Sequence, residues 1–220
     1  MSVPFVEIAA REDAAAAVRL LDARGLNRGS TGNLSVRCGD AMLITPTGMG
    51  SEVCGEDFVR VFLADGRVEG TWQPSSEWHF HQAVYRARPD LNAVVHTHSP
   101  NATALACLDR PLPAFHYMIA VAGGDTVPLV PYHTFGTEAL SAAVGEAMAE
   151  RKACLLAHHG LVAAGATLAE AMKVCQEIES LCEVYLKALA VAEPRVLDRA
   201  EMDEVIARFR SYGRSARRDA

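Results

Sequence analysis

Two stretches of this chain bring histidines to the ends of runs that read as buried strands. "LNAVVHTHSP" (91–100) closes an apolar, β-branched run with His96 and His98, and "ACLLAHHGLVAAG" (153–165) delivers His158 and His159 to a glycine. On a strand, residues i and i+2 leave by the same face. His96 and His98 can therefore bite one metal ion while Thr97 points the other way. A catalytic zinc site takes three protein ligands and keeps a fourth position open, and the second stretch can supply the missing nitrogen. Neighbouring strand residues face opposite sides, so one of His158 and His159 reaches the ion; the spacing does not say which. Each pair alone is equally well read as polar core residues, but the two together point to a metal. An all-nitrogen set suits Zn²⁺ or a first-row relative, and an open-sided zinc polarises a carbonyl.

Such a site needs a proton-transfer group. "PSSEWHFH" (74–81) offers Glu77 beside two hydroxyls at a helix start, where a glutamate is also at home simply because of the helix dipole. Three turn-like stretches, "RGSTGN" (28–33), "TPTGM" (45–49) and "SSE" (75–77), combine glycine, hydroxyls and Asn33. Exposed backbone N–H groups and small donors of this kind can cradle an anion. No lysine accompanies them, which excludes a P-loop, and no GxGxxG opens a helix. A single phosphate held by neutral donors fits the pattern. His79 and His81 are about 200° apart on a helix and cannot share an ion; His116 and His133 are read as structural.

The elements that must carry these groups alternate in type. A helix over "FVEIAAREDAAAAVRLLDARGL" ends at Gly25, followed by two hairpins, "NLSVR"/"AMLITP" and "FVRVFL"/"VEGT". A second helix is predicted from Ser75, with Ser75 or Ser76 as N-cap, until Pro89. The strand "AVVHTH" and the helix "SPNATALACL" come next, then short strands near "FHYMIA" and "TVPLVPY", a helix over 136–151, and the hairpin around "HHG". Long helices over 167–191 and about 200–212 close the chain. Hairpin-length connections favour an α/β fold with a largely antiparallel sheet.

With 220 residues, half of them hydrophobic, and no composition break, one domain is expected. A net charge of −6 leaves no electrostatic footprint for nucleic acid or an anionic membrane. No apolar span of about 18 residues or signal-peptide start is present, so a cytoplasmic location is expected. The six scattered cysteines form no CxxC pair, which argues against both a disulfide framework and thiolate zinc ligation.

The stretches "GLNRGSTGNLSVR", "MLITPTGM", "PSSEWHFHQAVYRARPDLNAVVHTHSP", "HYMIAVAGG", "PYHTFGT" and "LLAHHGL", in this order, resemble the class II (zinc-dependent) sugar-phosphate aldolases of the aldolase/adducin superfamily, nearest to the L-fuculose-1-phosphate branch. The likeness runs from the opening helix to "RFRSYG". It implies a single domain over 1–220, a three-layer α/β/α fold around a mostly antiparallel sheet, and residues 209–220 as a mobile C-terminal tail. It implies zinc on His96, His98 and His159, with Glu77 as catalytic acid/base that also approaches the metal. Ser30, Asn33, Thr47, Gly48, Ser75 and Ser76 map onto the phosphate site; position 30 is serine where the fuculose branch has threonine.

The family's cyclic homotetramers place active sites between subunits. Tyr117 matches a tyrosine that handles the aldehyde's proton across the interface. Phe135, Phe209 and Tyr212 match residues on the aldehyde side, with core packing the competing reading. The implied reaction is reversible cleavage of a ketose 1-phosphate to dihydroxyacetone phosphate and an aldehyde. Fuculose, ribulose, 5-deoxyribulose and 5-methylthioribulose 1-phosphates are all compatible. Related members epimerise, dehydrate or decarboxylate sugar phosphates, and adducin-like members are interaction modules expected to have lost the ligands that this chain keeps.

Overall fold

The computed structural model describes residues 5–209. Eight strands form one sheet in the order β4-β3-β2-β1-β5-β8-β7-β6. They are β1 (Asn33–Cys38), β2 (Ala41–Ile44), β3 (Val59–Phe62), β4 (Val68–Glu69), β5 (Ala93–Thr97), β6 (Leu129–Val130), β7 (Ala153–Leu156) and β8 (Gly160–Gly165). All neighbours pair antiparallel except β6 and β7. The expected mostly antiparallel α/β sheet is thus the observed one.

Six helices cover it: α1 (Phe5–Ala23), α2 (Trp78–Ala87), α3 (Pro100–Ala106), α4 (Glu138–Ala147), α5 (Leu168–Leu189) and α6 (Arg199–Phe209). One face of the sheet carries α1, α3, α5 and α6 around Leu21, Leu105, Ile178 and Met202. The other carries α2 and α4 around Phe80, Val84, Leu140 and Val144. This is a three-layer α/β/α arrangement. Both faces being covered explains why β5, β7 and β8 are buried at every position and read as continuous apolar runs rather than alternating ones.

Two local expectations are corrected. The second helix begins at Trp78, with Glu77 at the N-cap position, and neither Ser75 nor Ser76 caps it. Backbone pairing holds this segment instead: Ser75 N–H donates to Thr45 C=O at 3.0 Å and Thr47 N–H to Gln73 C=O at 3.0 Å, across a Pro46–Pro74 bridge. "FHYMIA" is not a strand; Tyr117–Ala122 forms a 3-10 turn closed by Gly123 at φ 86°. Short apolar runs do not separate strand from helix by periodicity. The last helix agrees through Phe209, and its expected end at Gly213 lies outside the described residues.

Gly32 marks the tightest approach beside β1. At φ +72°, a Cβ there would lie 2.5 Å from the Asn27 amide and 2.6 Å from His96 C=O. Asn27 Oδ1 in turn accepts the backbone N–H of His98 at 3.2 Å. Gly32→Ala is expected to cost about 1–2 kcal/mol from the left-handed backbone alone and more from the displaced carbonyl. A denaturant titration showing an unchanged midpoint would contradict this.

Candidate active site

The site lies where β5, the β7–β8 turn and the start of α2 meet. Antiparallel register sets Asn33 of β1 and Val162 of β8 on either side of His96. His96 Nδ1–H donates to Leu161 C=O at 3.0 Å, which fixes the tautomer and leaves Nε2 a free lone pair. His98 follows directly on β5. Behind it, Glu179 on α5 accepts the N–H groups of Asn101 at 2.9 Å and Ala102 at 2.8 Å, fixing where α3 starts.

The turn before β8 separates the two histidines of "HHG". His159 turns inward, and its ligand atom lies with those of His96 and His98 within 4.8 Å of one another. His158 adopts φ 54° and directs Nε2 to Asp109 Oδ2 at 3.3 Å. Geometry therefore groups His159, and not His158, with the other two.

Glu77 caps this cluster. Its Oε2 is 3.3 Å from His96 Nε2 and its Oε1 is 3.3 Å from His159 Nε2, while His96 Nε2 and His98 Nε2 stand 3.0 Å apart. Tetrahedral ligands at 2.0–2.1 Å from an ion are about 3.3 Å from each other, so these spacings suit a small divalent metal. The buried Oε1 of Glu77 has no hydrogen-bond partner, while Oε2 accepts from Asn33 Nδ2 at 2.9 Å. Burial, with His159 and His98 beside it, holds His96 well below the ordinary imidazole range. It also lowers His98, and lowers His159 against the pull of Glu77. All three shifts run toward the uncharged imidazole, the form that ligates. Burial raises the Glu77 carboxyl, opposed by His159 and by the Asn33 hydrogen bond. A buried carboxylate oxygen without a hydrogen-bond partner, 3.3 Å from His159 Nε2 and beside the grouped ligand atoms of His96 and His98, fits a bound metal.

Beside the cluster opens a cavity of about 340 Å³. Ser30, Asn33, Thr47, Gly48, Ser75 and Ser76 all line it, together with Glu77, His98 and His159. The Pro46–Pro74 bridge brings the Thr47–Gly48 turn against Ser75–Ser76. Among the described residues the lining contains no lysine or arginine. Asn33 gives one of its two amide N–H donors to Glu77, which leaves the second as a further donor beside the cavity.

Residues 12–186 match the family described as Class II Aldolase and Adducin N-terminal domain. The chain belongs to this family. It is 47% identical over 214 residues to a 5-methylthioribulose-1-phosphate/5-deoxyribulose-1-phosphate aldolase of Rhodospirillum rubrum, with 97% of each chain covered. It is 48% identical over 190 residues to an L-fuculose phosphate aldolase of Escherichia coli strain K12, covering 86% of this chain and 88% of that one. A solved structure of an L-fuculose 1-phosphate aldolase superposes with a TM-score of 0.88 at 38% identity, covering 92% of this chain and 96% of the other. The class II aldolase described here is accordingly an aldehyde-lyase.

The aldehyde-side candidates are spread more widely. Phe135 lines the cavity and is 65% exposed. Tyr117 is 51% exposed and does not line it. Phe209 packs against the core at the end of α6, also outside the cavity lining, and Tyr212 lies outside the described residues. Sequence reasoning missed Tyr132 in the lining and read His133 as structural, while Thr31 and Gly32 fall in the cradle stretch 28–33 and His158 was the alternative to His159. Tyr132, His133 and Phe135 fall together in one irregular segment, a grouping that "PYHTFGT" displays but that no periodicity reveals. Among the described residues no helix is long and apolar enough to cross a membrane. Of the six cysteines, all free, Cys154, Cys175 and Cys182 are buried while Cys54 and Cys107 are exposed.

Proposed function

We propose that this class II aldolase is a zinc enzyme. It cleaves a ketose 1-phosphate reversibly to dihydroxyacetone phosphate and an aldehyde, with L-fuculose 1-phosphate and the 5-deoxy and 5-methylthio ribulose 1-phosphates as its substrate class. One observation carries the reading: three histidines group their ligand atoms within 4.8 Å beside a buried carboxylate oxygen without a hydrogen-bond partner, and two of them, with Glu77, share a cavity with hydroxyl and glycine-containing loops. The names of the relatives supply the substrate class.

His96, His98 and His159 would hold the metal, with Glu77 beside it until substrate enters. A bound Zn²⁺ supplies Lewis acidity, lowering the energy of the negative charge that develops on the substrate's oxygens. The hydroxyls of Ser30, Thr47, Ser75 and Ser76 and the backbone around Gly48 take the phosphate by hydrogen bonds alone. Cleavage breaks C3–C4 as the C4 hydroxyl loses its proton. Glu77 then gives a proton to C3 of the dihydroxyacetone phosphate half; in synthesis it removes that proton. Tyr117, exposed on its 3-10 turn, would serve the aldehyde's oxygen in the site of a neighbouring subunit of a homotetramer. Phe135, Phe209 and Tyr212 would complete the aldehyde side, Phe209 and Tyr212 from the tail. A cytoplasmic location and a single domain over the whole chain belong to the same proposal.

The test is a coupled assay of the zinc-loaded protein with L-fuculose, ribulose and 5-methylthioribulose 1-phosphates, reading dihydroxyacetone phosphate. Metal-dependent product from at least one is expected. No product from any, with zinc bound at one per chain, would move the protein to the epimerase, dehydratase or decarboxylase reactions of its relatives.

A further inference from the structure

Beneath Glu77 runs a line of hydrogen bonds that the chemistry above does not use. Glu77, His81 and Tyr85 fall at i, i+4 and i+8 at the start and along one face of α2, and Asn33 and Ser35 at i and i+2 on the facing side of β1. Tyr85 Oη lies 2.9 Å from Ser35 Oγ, Ser35 Oγ 2.7 Å from His81 Nδ1, and His81 Nε2 2.5 Å from Asn33 Oδ1. Asn33 Nδ2 completes the line at Glu77 Oε2. All five side chains are buried, with His81 completely so.

Chemistry permits one direction along this line. An ionised carboxylate only accepts, so Asn33 turns its NH₂ to Glu77 and its carbonyl to His81. That carbonyl can only accept, so His81 carries its proton on Nε2. Nδ1 is then the acceptor and takes the Ser35 hydroxyl, which is itself approached by Tyr85, whose O–H donates to Ser35 C=O at 3.0 Å. Arg37 anchors the far end, donating to Tyr85 C=O at 2.9 Å with its guanidinium 4.8 Å from the ring centre.

We propose that His81, held as its Nε2–H tautomer by the Asn33 carbonyl on one side with Ser35 donating to Nδ1 on the other, is a positioning residue that clamps the Asn33 amide, so that Glu77 is held by Oε2 and presents Oε1 to the reaction. Burying five polar groups among Phe80, Val84 and Val94 is costly unless each is satisfied, and the line is satisfied only because it terminates on Glu77. Burial keeps the ring uncharged, its pKa driven down to about 3, so the second nitrogen does not become a donor in the working range. Removing Nε2–H frees the Asn33 amide to rotate and Glu77 to swing. The inference rests on the role given to Glu77 above.

Two measurements test it. In wild-type protein with ¹⁵N-labelled histidine, assigned by loss of one signal in His81→Gln, His81 should show the neutral Nε2–H tautomer from pH 5 to 8. An Nδ1–H tautomer overturns the proposal whatever the activity. In kinetics, His81→Leu should lower kcat by about 10- to 100-fold, the usual cost of losing a group that orients a site residue, with KM and zinc content within twofold of wild type. His81→Gln, whose amide can still donate to Asn33, should recover most of the loss. Ser35→Ala, which removes the donor to His81 Nδ1 without opening a large void and so loosens the ring, should lower kcat in the same way if His81→Leu does not fold. Unchanged kcat in folded His81→Leu, or parallel loss of zinc and KM, overturns it, as does a His81→Gln as impaired as His81→Leu. Glu77→Gln assayed alongside separates the two readings: full activity there would refute the role of Glu77 and leave the tautomer result standing on its own.

Discussion

Glu77→Gln is expected to lower kcat by about 10²–10⁴-fold, the range that a positioned acid/base contributes, while zinc content and KM stay near wild type. Glutamine keeps the volume and can still accept from Asn33 Nδ2 through its carbonyl, so the line behind the residue need not collapse. What it lacks is a proton to exchange at the position of Oε1, the buried oxygen without a hydrogen-bond partner. Deuterium uptake into dihydroxyacetone phosphate in D₂O isolates that step, because it needs no aldehyde. The variant should lose exchange and cleavage in parallel. A variant that exchanges at the wild-type rate would remove Glu77 from the proton path.

The larger effect is expected at the third histidine. His159→Ala leaves two imidazoles, and the zinc stoichiometry after gel filtration should fall from one per chain to near zero, with activity down at least about 10³-fold. His158→Asn is the matched comparison, since asparagine tolerates the left-handed backbone that His158 adopts at φ 54°. It should retain its zinc. The reverse pattern, zinc lost from His158→Asn and kept by His159→Ala, would mean that the turn seats the wrong residue inward.

Those two histidines also show what a sequence can and cannot convey here. His96 and His98 are readable as one ligand pair, because a strand's alternation is a local rule. The choice between His158 and His159 depends on a turn in which one residue takes a positive φ, and alternation fails at turns; only the likeness to the aldolases singled out His159. The sheet was legible for a similar reason: hairpins with short turns write their pairing into adjacent sequence. "FHYMIA" was not, since its apolar content serves a 3-10 turn packed on the core as well as it serves a strand. Ser75 and Ser76 resemble caps in isolation, yet Ser75 pairs through its backbone with Thr45, about thirty positions earlier, and neither caps the helix. The line from Tyr85 to Glu77 was illegible as well. Each half has a simple spacing, but nothing local says that the helix face and the strand face oppose each other.

The cavity has two kinds of wall. The histidine cluster and the hydroxyl-bearing loops beside it are set by the central strands β1 and β5, the β7–β8 turn and the backbone bridge at Pro46–Pro74. Tyr132, His133 and Phe135 lie on the irregular stretch between β6 and α4, outside any ladder. Substitutions, insertions or deletions in that stretch can reshape what sits opposite the metal without disturbing a single strand register. The architecture thus separates the part of the enzyme that must be inherited intact from the part that natural variation can rewrite, and a chain built this way can change what faces its histidines by editing one loop.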